Sequence, residues 1–155
     1  MNRLSAMLFA LALATPLAAC TEQEDESFRD VIEFQDGMAI DSDTGAFRVT
    51  LSSADGGMGV GRNDLVVRIG FHDPSAPNAE GRGVPGADLL LETWRPGTES
   101  VLHSEVEYLG DGAYAIENVL LDAEGVWNMD LEIAVGEGMY ETCTLAFEIE
   151  KLDYR

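Results

Sequence analysis

Basic residues are scarce in this 155-residue chain, nine against 29 acidic ones, for a formal charge of −20 at pH 7. Lys151 is the single lysine. Such a surface repels nucleic acid and anionic lipid headgroups, which excludes both as partners and argues against acidic substrates. Its simplest use is colloidal stability in a salty medium. Histidine and cysteine are equally thin: His72 and His103, Cys20 and Cys143. Nucleophilic hydrolysis needs a Ser, Thr or Cys activated by a base, and no Gly-x-Ser-x-Gly elbow is present. The expectation is a non-catalytic protein with no small-molecule substrate. A helical period is missing as well, and the one extended apolar run lies at the N-terminus.

That run belongs to "MNRLSAMLFALALATPLAAC", one early positive charge followed by apolar and then small residues. This is the layout of a signal peptide, and the apolar part is too short to span a bilayer. It ends in "LAAC", which resembles the bacterial lipobox, so residues 1–19 are expected to be removed and Cys20 acylated. Acylation makes the membrane a partner through an anchor, each buried methylene contributing about 0.8 kcal/mol. Thr21 after the cysteine points to the outer membrane, facing the periplasm. With Cys20 so occupied, Cys143 has no partner and the fold must stand without a disulfide. Residues 20–45 open on "TEQEDES" and read as an acidic tether. Within it "FRDVIEF" is apolar enough to dock or to add an edge strand, so residues 28–41 stay open.

From Ala46 the apolar period is two, the mark of half-buried strands. The alternating segments are "AFRVTLS", "DLVVRIGF", "ADLLLETW", "VLHSEVEY", "AYAIEN", "VWNMDLEIAV" and "ETCTLAFEI". Turn residues separate them. Seven such strands predict an all-β fold, an immunoglobulin-like antiparallel β-sandwich over residues 46–155. In "VLHSEVEY" the period places Leu102, Val106 and Tyr108 inward, and His103 outward with Glu105 and Glu107. Those carboxylates would raise the His103 pKa above its usual value. "WRPGTES" is expected to be a tight turn on Pro96 and Gly97. "LGDGAY" resembles a tyrosine corner, which makes Tyr114 structural.

Few residues offer chemistry. Cys143 shares a face with Leu145 and Phe147 and reads as a small buried apolar group. Gly57-x-Gly59-x-Gly61 leads into a strand, so it lacks the helix N-terminus of a phosphate cradle. "DSDTG" opens like a calcium loop, but its bidentate Glu is missing at the required spacing. Met58 and Met139 fall at strand edges and could face outward, and soft thioethers beside imidazole suit copper.

The succession "VGRNDLVVRI", "VPGADLLLETWRP", "GDGAYAIENV" and "AEGVWNMDLEI" resembles the FixH/YtkA-like domain of bacterial envelope proteins. The resemblance covers about half of the chain. It implies an immunoglobulin-like sandwich in the envelope that is not an enzyme, with some members linked to copper handling or to haem-copper oxidase assembly. Many relatives carry a Met-x-x-Met-x-His-like loop where this chain has "WRPGTESVLH", which keeps Trp94, Pro96 and His103 but no methionine. The leading expectation is a lipoprotein whose sandwich binds or positions another envelope protein, with no cofactor. The alternative is a periplasmic copper-binding accessory protein using His103 with Met58, His72 or both.

Overall fold

The computed structural model describes residues 30–150. The signal peptide, Cys20, the first part of the tether and residues 151–155 lie outside the described residues. In chain order the strands are β1 (Val31–Ile32), β2 (Met38–Asp41), β3 (Phe47–Ser53), β4 (Gly61–Phe71), β5 (Ala87–Trp94), β6 (Val101–His103), β7 (Val106–Gly110), β8 (Ala113–Leu121), β9 (Gly125–Val135) and β10 (Met139–Ile149). They form two five-stranded sheets, β1-β10-β9-β5-β6 and β2-β3-β4-β8-β7. With β3, β4, β8 and β7 as strands A, B, E and D, and β10, β9, β5 and β6 as G, F, C and C′, this is the immunoglobulin arrangement. The expected all-β sandwich is present.

Each sheet turns one apolar face inward because its strands alternate. Phe47, Val49 and Leu51 of β3 meet Leu65, Val67 and Ile69 of β4 on one side of the core. Trp127, Met129, Leu131 and Ile133 of β9 with Cys143, Leu145 and Phe147 of β10 form the other. Burying one such large apolar side chain contributes about 1.5–3 kcal/mol.

Four features differ from the sequence reading. The sheets start before Ala46: β2 extends β3 as an edge hairpin, and β1 lies beside β10. The β1–β10 pairing is parallel, whereas all other pairings are antiparallel. Strand β8 runs past Asn118 to Leu121 through a bulge, where Asn118 takes φ 60° and its N–H donates to Asp64 at 2.8 Å. After the bulge the inward parity shifts, so Ile116 and then Val119 and Leu121 are all buried. Finally, the segment read as one strand over 101–108 is two strands in different sheets.

The sheets are pinned together at Tyr114. Its hydroxyl donates to the Val84 carbonyl at 2.7 Å and accepts from the Ala87 N–H at 2.8 Å. Tyr114 is therefore structural as expected, but its bonds reach about 30 residues back to the start of β5, not locally. The approach depends on Gly112, at φ 74°, where a Cβ would lie 2.3 Å from the Ile69 carbonyl oxygen and 2.6 Å from the Val84 nitrogen. No residue with a side chain fits there without backbone movement.

Candidate functional site

His103 ends β6, opposite Leu91 in β5. It faces inward, half-buried, with Nε2 3.0 Å from the hydroxyl of fully buried Thr93. Leu102 takes the outward position and is 56% exposed. This reverses the expected facing, because a one-residue difference in register exchanges the two sides of a strand. The expected rise in the His103 pKa is also corrected: burial lowers it from 6.5. Glu105 and Glu107 cannot share its strand face, since the chain leaves the sheet after His103 and Glu107 sits in β7. A hydroxyl beside an imidazole is the geometry of an activated nucleophile. Here the hydroxyl belongs to Thr93, which has no exposed surface for a substrate to reach.

His72 lies just past β4, with its N–H donating to the Ala46 carbonyl at 3.0 Å. Its Nδ1 stands 3.3 Å from Asp41 Oδ1, which also accepts from Arg48 at 2.9 Å. Nδ1 is buried and makes no aligned hydrogen bond. Met58 is at the other end of β4, before Gly61, and is packed into the core, not turned outward. Eleven residues of extended strand separate these ends by roughly 35 Å at about 3.3 Å per residue. His103 occupies an edge of the opposite sheet. The structure therefore does not bring His72, Met58 and His103 together, and no group of three or more His, Cys, Asp or Glu able to hold a metal occurs among the described residues. As a preformed soft-metal site these residues do not fit.

The other motifs are taken up by the fold. The glycine-rich loop folds around Asn63: Gly59 N–H donates to its Oδ1 at 2.9 Å, and its Nδ2 donates to the carbonyls of Gly59 at 2.9 Å and Gly61 at 3.2 Å. Asn63 is a buried organiser that the sequence reading passed over. The Gly-x-Asn in "GRND" was the available signal. In "DSDTG", Asp43 accepts from the Thr142 hydroxyl, and Thr44 donates from Oγ1 to Glu141 at 2.6 Å. These bonds tie the β2–β3 turn to β10, and the Thr44 hydroxyl is the chief cause that lowers the Glu141 pKa. Cys143 has no exposed surface, and burial pushes its thiol up to about 12. It remains a protonated core side chain.

What the fold leaves open lies along the β6–β7 flank. Four of the large hydrophobic side chains exposed on this molecule are here: Val101, Leu102, Tyr108 and Leu109. Strand β6 pairs with only residues 91–93 of β5; among the described residues no strand pairs with residues 88–90 on that side, and the Ala87 N–H donates to the Tyr114 hydroxyl. A groove of about 310 Å³ follows this edge, between β5 and β7, and is lined by Leu89, Val106, Tyr108 and Tyr114 among others. An adjoining hollow of about 250 Å³ shares Val106 and is rimmed by Glu105, Glu107 and Glu117.

No model of a known protein family matches the chain. No curated protein matches it either. Among solved structures it is similar to a copper-bound variant of FetP from uropathogenic Escherichia coli. The identity is 14%, the TM-score is 0.52, and the match covers 78% of this chain and 99% of that one. At that identity the likeness shows a shared sandwich fold.

Proposed function

We propose that this chain is a non-catalytic lipoprotein of the bacterial envelope, anchored through Cys20, whose sandwich binds or positions another envelope protein. The observation that carries this reading is the β6–β7 flank, where Val101, Leu102, Tyr108 and Leu109 are each exposed, close in sequence on either side of the point where the chain changes sheets. A concentration of exposed large apolar side chains supports an interaction site. The buried thiol of Cys143 and the buried hydroxyl of Thr93 beside His103 support a role without chemistry. The "LAAC" segment supports the anchor, and Thr21 after it supports the outer-membrane location.

The test is photo-crosslinking in intact cells, with a benzophenone amino acid replacing Leu102 in the full chain. An adduct with one envelope protein is expected. No adduct from Leu102 or from any other exposed apolar position would overturn the reading. Metabolic acyl labelling of the same chain checks the anchor, and label that persists in Cys20→Ser would overturn it.

A second reading, a copper-binding accessory protein, is favoured by one observation, the likeness to copper-bound FetP. It ranks below the first because His103 is held by Thr93 and Met58 is in the core. Titration of the full chain with Cu(I) against a competing chelator decides between them. One tight equivalent lost in His103→Ala would reverse the order.

A further inference from the structure

We infer that the anchored sandwich turns its β1–β2 flank toward the bilayer and its β6–β7 flank away, so that the partner it meets is a protein surface standing clear of the lipid. The inference rests on the lipoprotein reading above and adds orientation and reach to it. One sheet runs β1-β10-β9-β5-β6 and the other β2-β3-β4-β8-β7. Residues 33–37 join β1 to β2, and residues 104–105 join β6 to β7. The Asp43 N–H donates to the Thr142 carbonyl at 2.8 Å, which holds the β2–β3 turn against β10. The bond between the Tyr114 hydroxyl and the Ala87 N–H likewise holds β8 against the start of β5. The chain therefore enters at one flank, while Val101, Leu102, Tyr108 and Leu109 are exposed at the other. Four strand spacings, roughly 19 Å in all, separate β1 from β6.

The anchor is short. Strand pairing begins at Val31, and Cys20 precedes Asp30 by ten positions, so the tether is much less than residues 20–45. Ten residues in any conformation span at most about 33–36 Å. Laying the β6–β7 flank on the bilayer would spend about 19 Å of that reach on crossing a sheet. Presenting β1 and β2 spends none of it. Each residue held extended loses conformations, which costs free energy. Charge does not offset that cost. Glu99, Glu105 and Glu107 are exposed in the β6–β7 stretch, and no lysine or arginine occurs from residue 96 to 112. An apolar patch settles at a lipid surface with the help of basic residues, and an acidic one is repelled by anionic headgroups. Asp30, Glu33 and Asp36 are exposed at the β1–β2 flank, so neither flank adheres and the tether sets the facing. Reach and width together put the partner's contact surface within about 55 Å of the bilayer.

The test uses the full acylated chain in vesicles that carry a fluorescence acceptor on the lipid headgroups. A donor is attached at Ala39→Cys on β2 or at Leu102→Cys on β6, exposed positions on opposite flanks. Cys143 is buried and takes no label. Energy transfer should be about twofold stronger from position 39 than from position 102, given the width between them. Inserting about twenty Gly and Ser residues after Glu26 should remove the difference, because the longer reach frees the facing. Equal or stronger transfer from position 102, or a difference that survives the insertion, would overturn the inference. So would photo-crosslinking from Leu102 to lipid instead of protein. Acyl labelling tells the two failures apart. A chain that takes no label refutes the lipoprotein reading and this inference with it, whereas a labelled chain with position 102 nearer the lipid refutes the orientation alone.

Discussion

The β9–β10 hairpin and the β6–β7 segment carry similar alternation in sequence and meet opposite fates. In β9, Trp127, Met129, Leu131 and Ile133 are all buried as their alternation requires. In "VLHSEVEY", Leu102 and Tyr108 are exposed and His103 is turned in. Strand β9 is clasped along its length by β10 on one side and β5 on the other, so both neighbours enforce one register. Strand β6 has a single neighbour for three residues, and the chain then crosses to pair with β8. Alternation reports facing only while a strand stays in one sheet. Where it crosses, apolar side chains are left on the surface, available for another task.

The largest expected effect lies on the well-clasped side. Trp127→Ala should destabilise the protein by about 3–5 kcal/mol, because it empties a large core position. It also removes the bond from Nε1 to the Ala123 carbonyl at 2.9 Å. Urea unfolding measures it, and a loss no larger than that of a surface change would erase the distinction between the two regions.

Tyr114→Phe comes next, at about 1–3 kcal/mol, since it strands the buried Val84 carbonyl and Ala87 N–H. The same denaturation experiment reads this. Hydrogen exchange should also quicken at Ala87, and unchanged exchange there would argue against the sheet-to-sheet pin.

His103 distinguishes the two possible facings directly. Burial lowers its pKa from 6.5, so as pH falls the unfolded chain takes up its proton before the folded one. The stability associated with neutral His103 is complete above pH 6.5 and is lost as pH falls through the folded-state pKa. An NMR titration should place the imidazole midpoint below 6.5. A midpoint above it would restore the outward histidine among carboxylates.

The smallest effect is expected at Leu102→Ala, within about ±0.5 kcal/mol, as for other exposed positions. The crosslinked partner, not stability, should respond to this change. Retained stability with lost complex formation would mark Leu102 as surface kept for binding.

Most of the core was legible because two-residue alternation leaves a strand buried on one face little choice. The positive φ of Gly97, 79°, and the bond from Thr98 N–H to the Arg95 carbonyl at 3.0 Å match the turn expected at Pro96 and Gly97. The candidate ligands were not legible as a site. Met58 looked free at a strand edge, yet the loop around Asn63 carries it into the core. His72 and Met58 are only 14 positions apart in sequence, but a full extended strand keeps them at opposite ends of the sandwich.

Local chemistry alone determined that the described residues form strands without helices, where their turns fall, and that the chain is acidic. Those properties follow from residue type and period over a few positions. Tertiary structure decided which sheet each strand joined, that residues 101–110 divide between two sheets, and that among the described residues β6 pairs with only residues 91–93 of β5. The reason is that strand pairing is a contact between residues far apart in the chain. The backbone hydrogen bonds that secure it are nearly the same for every residue, so short-range pattern carries little record of which partner wins.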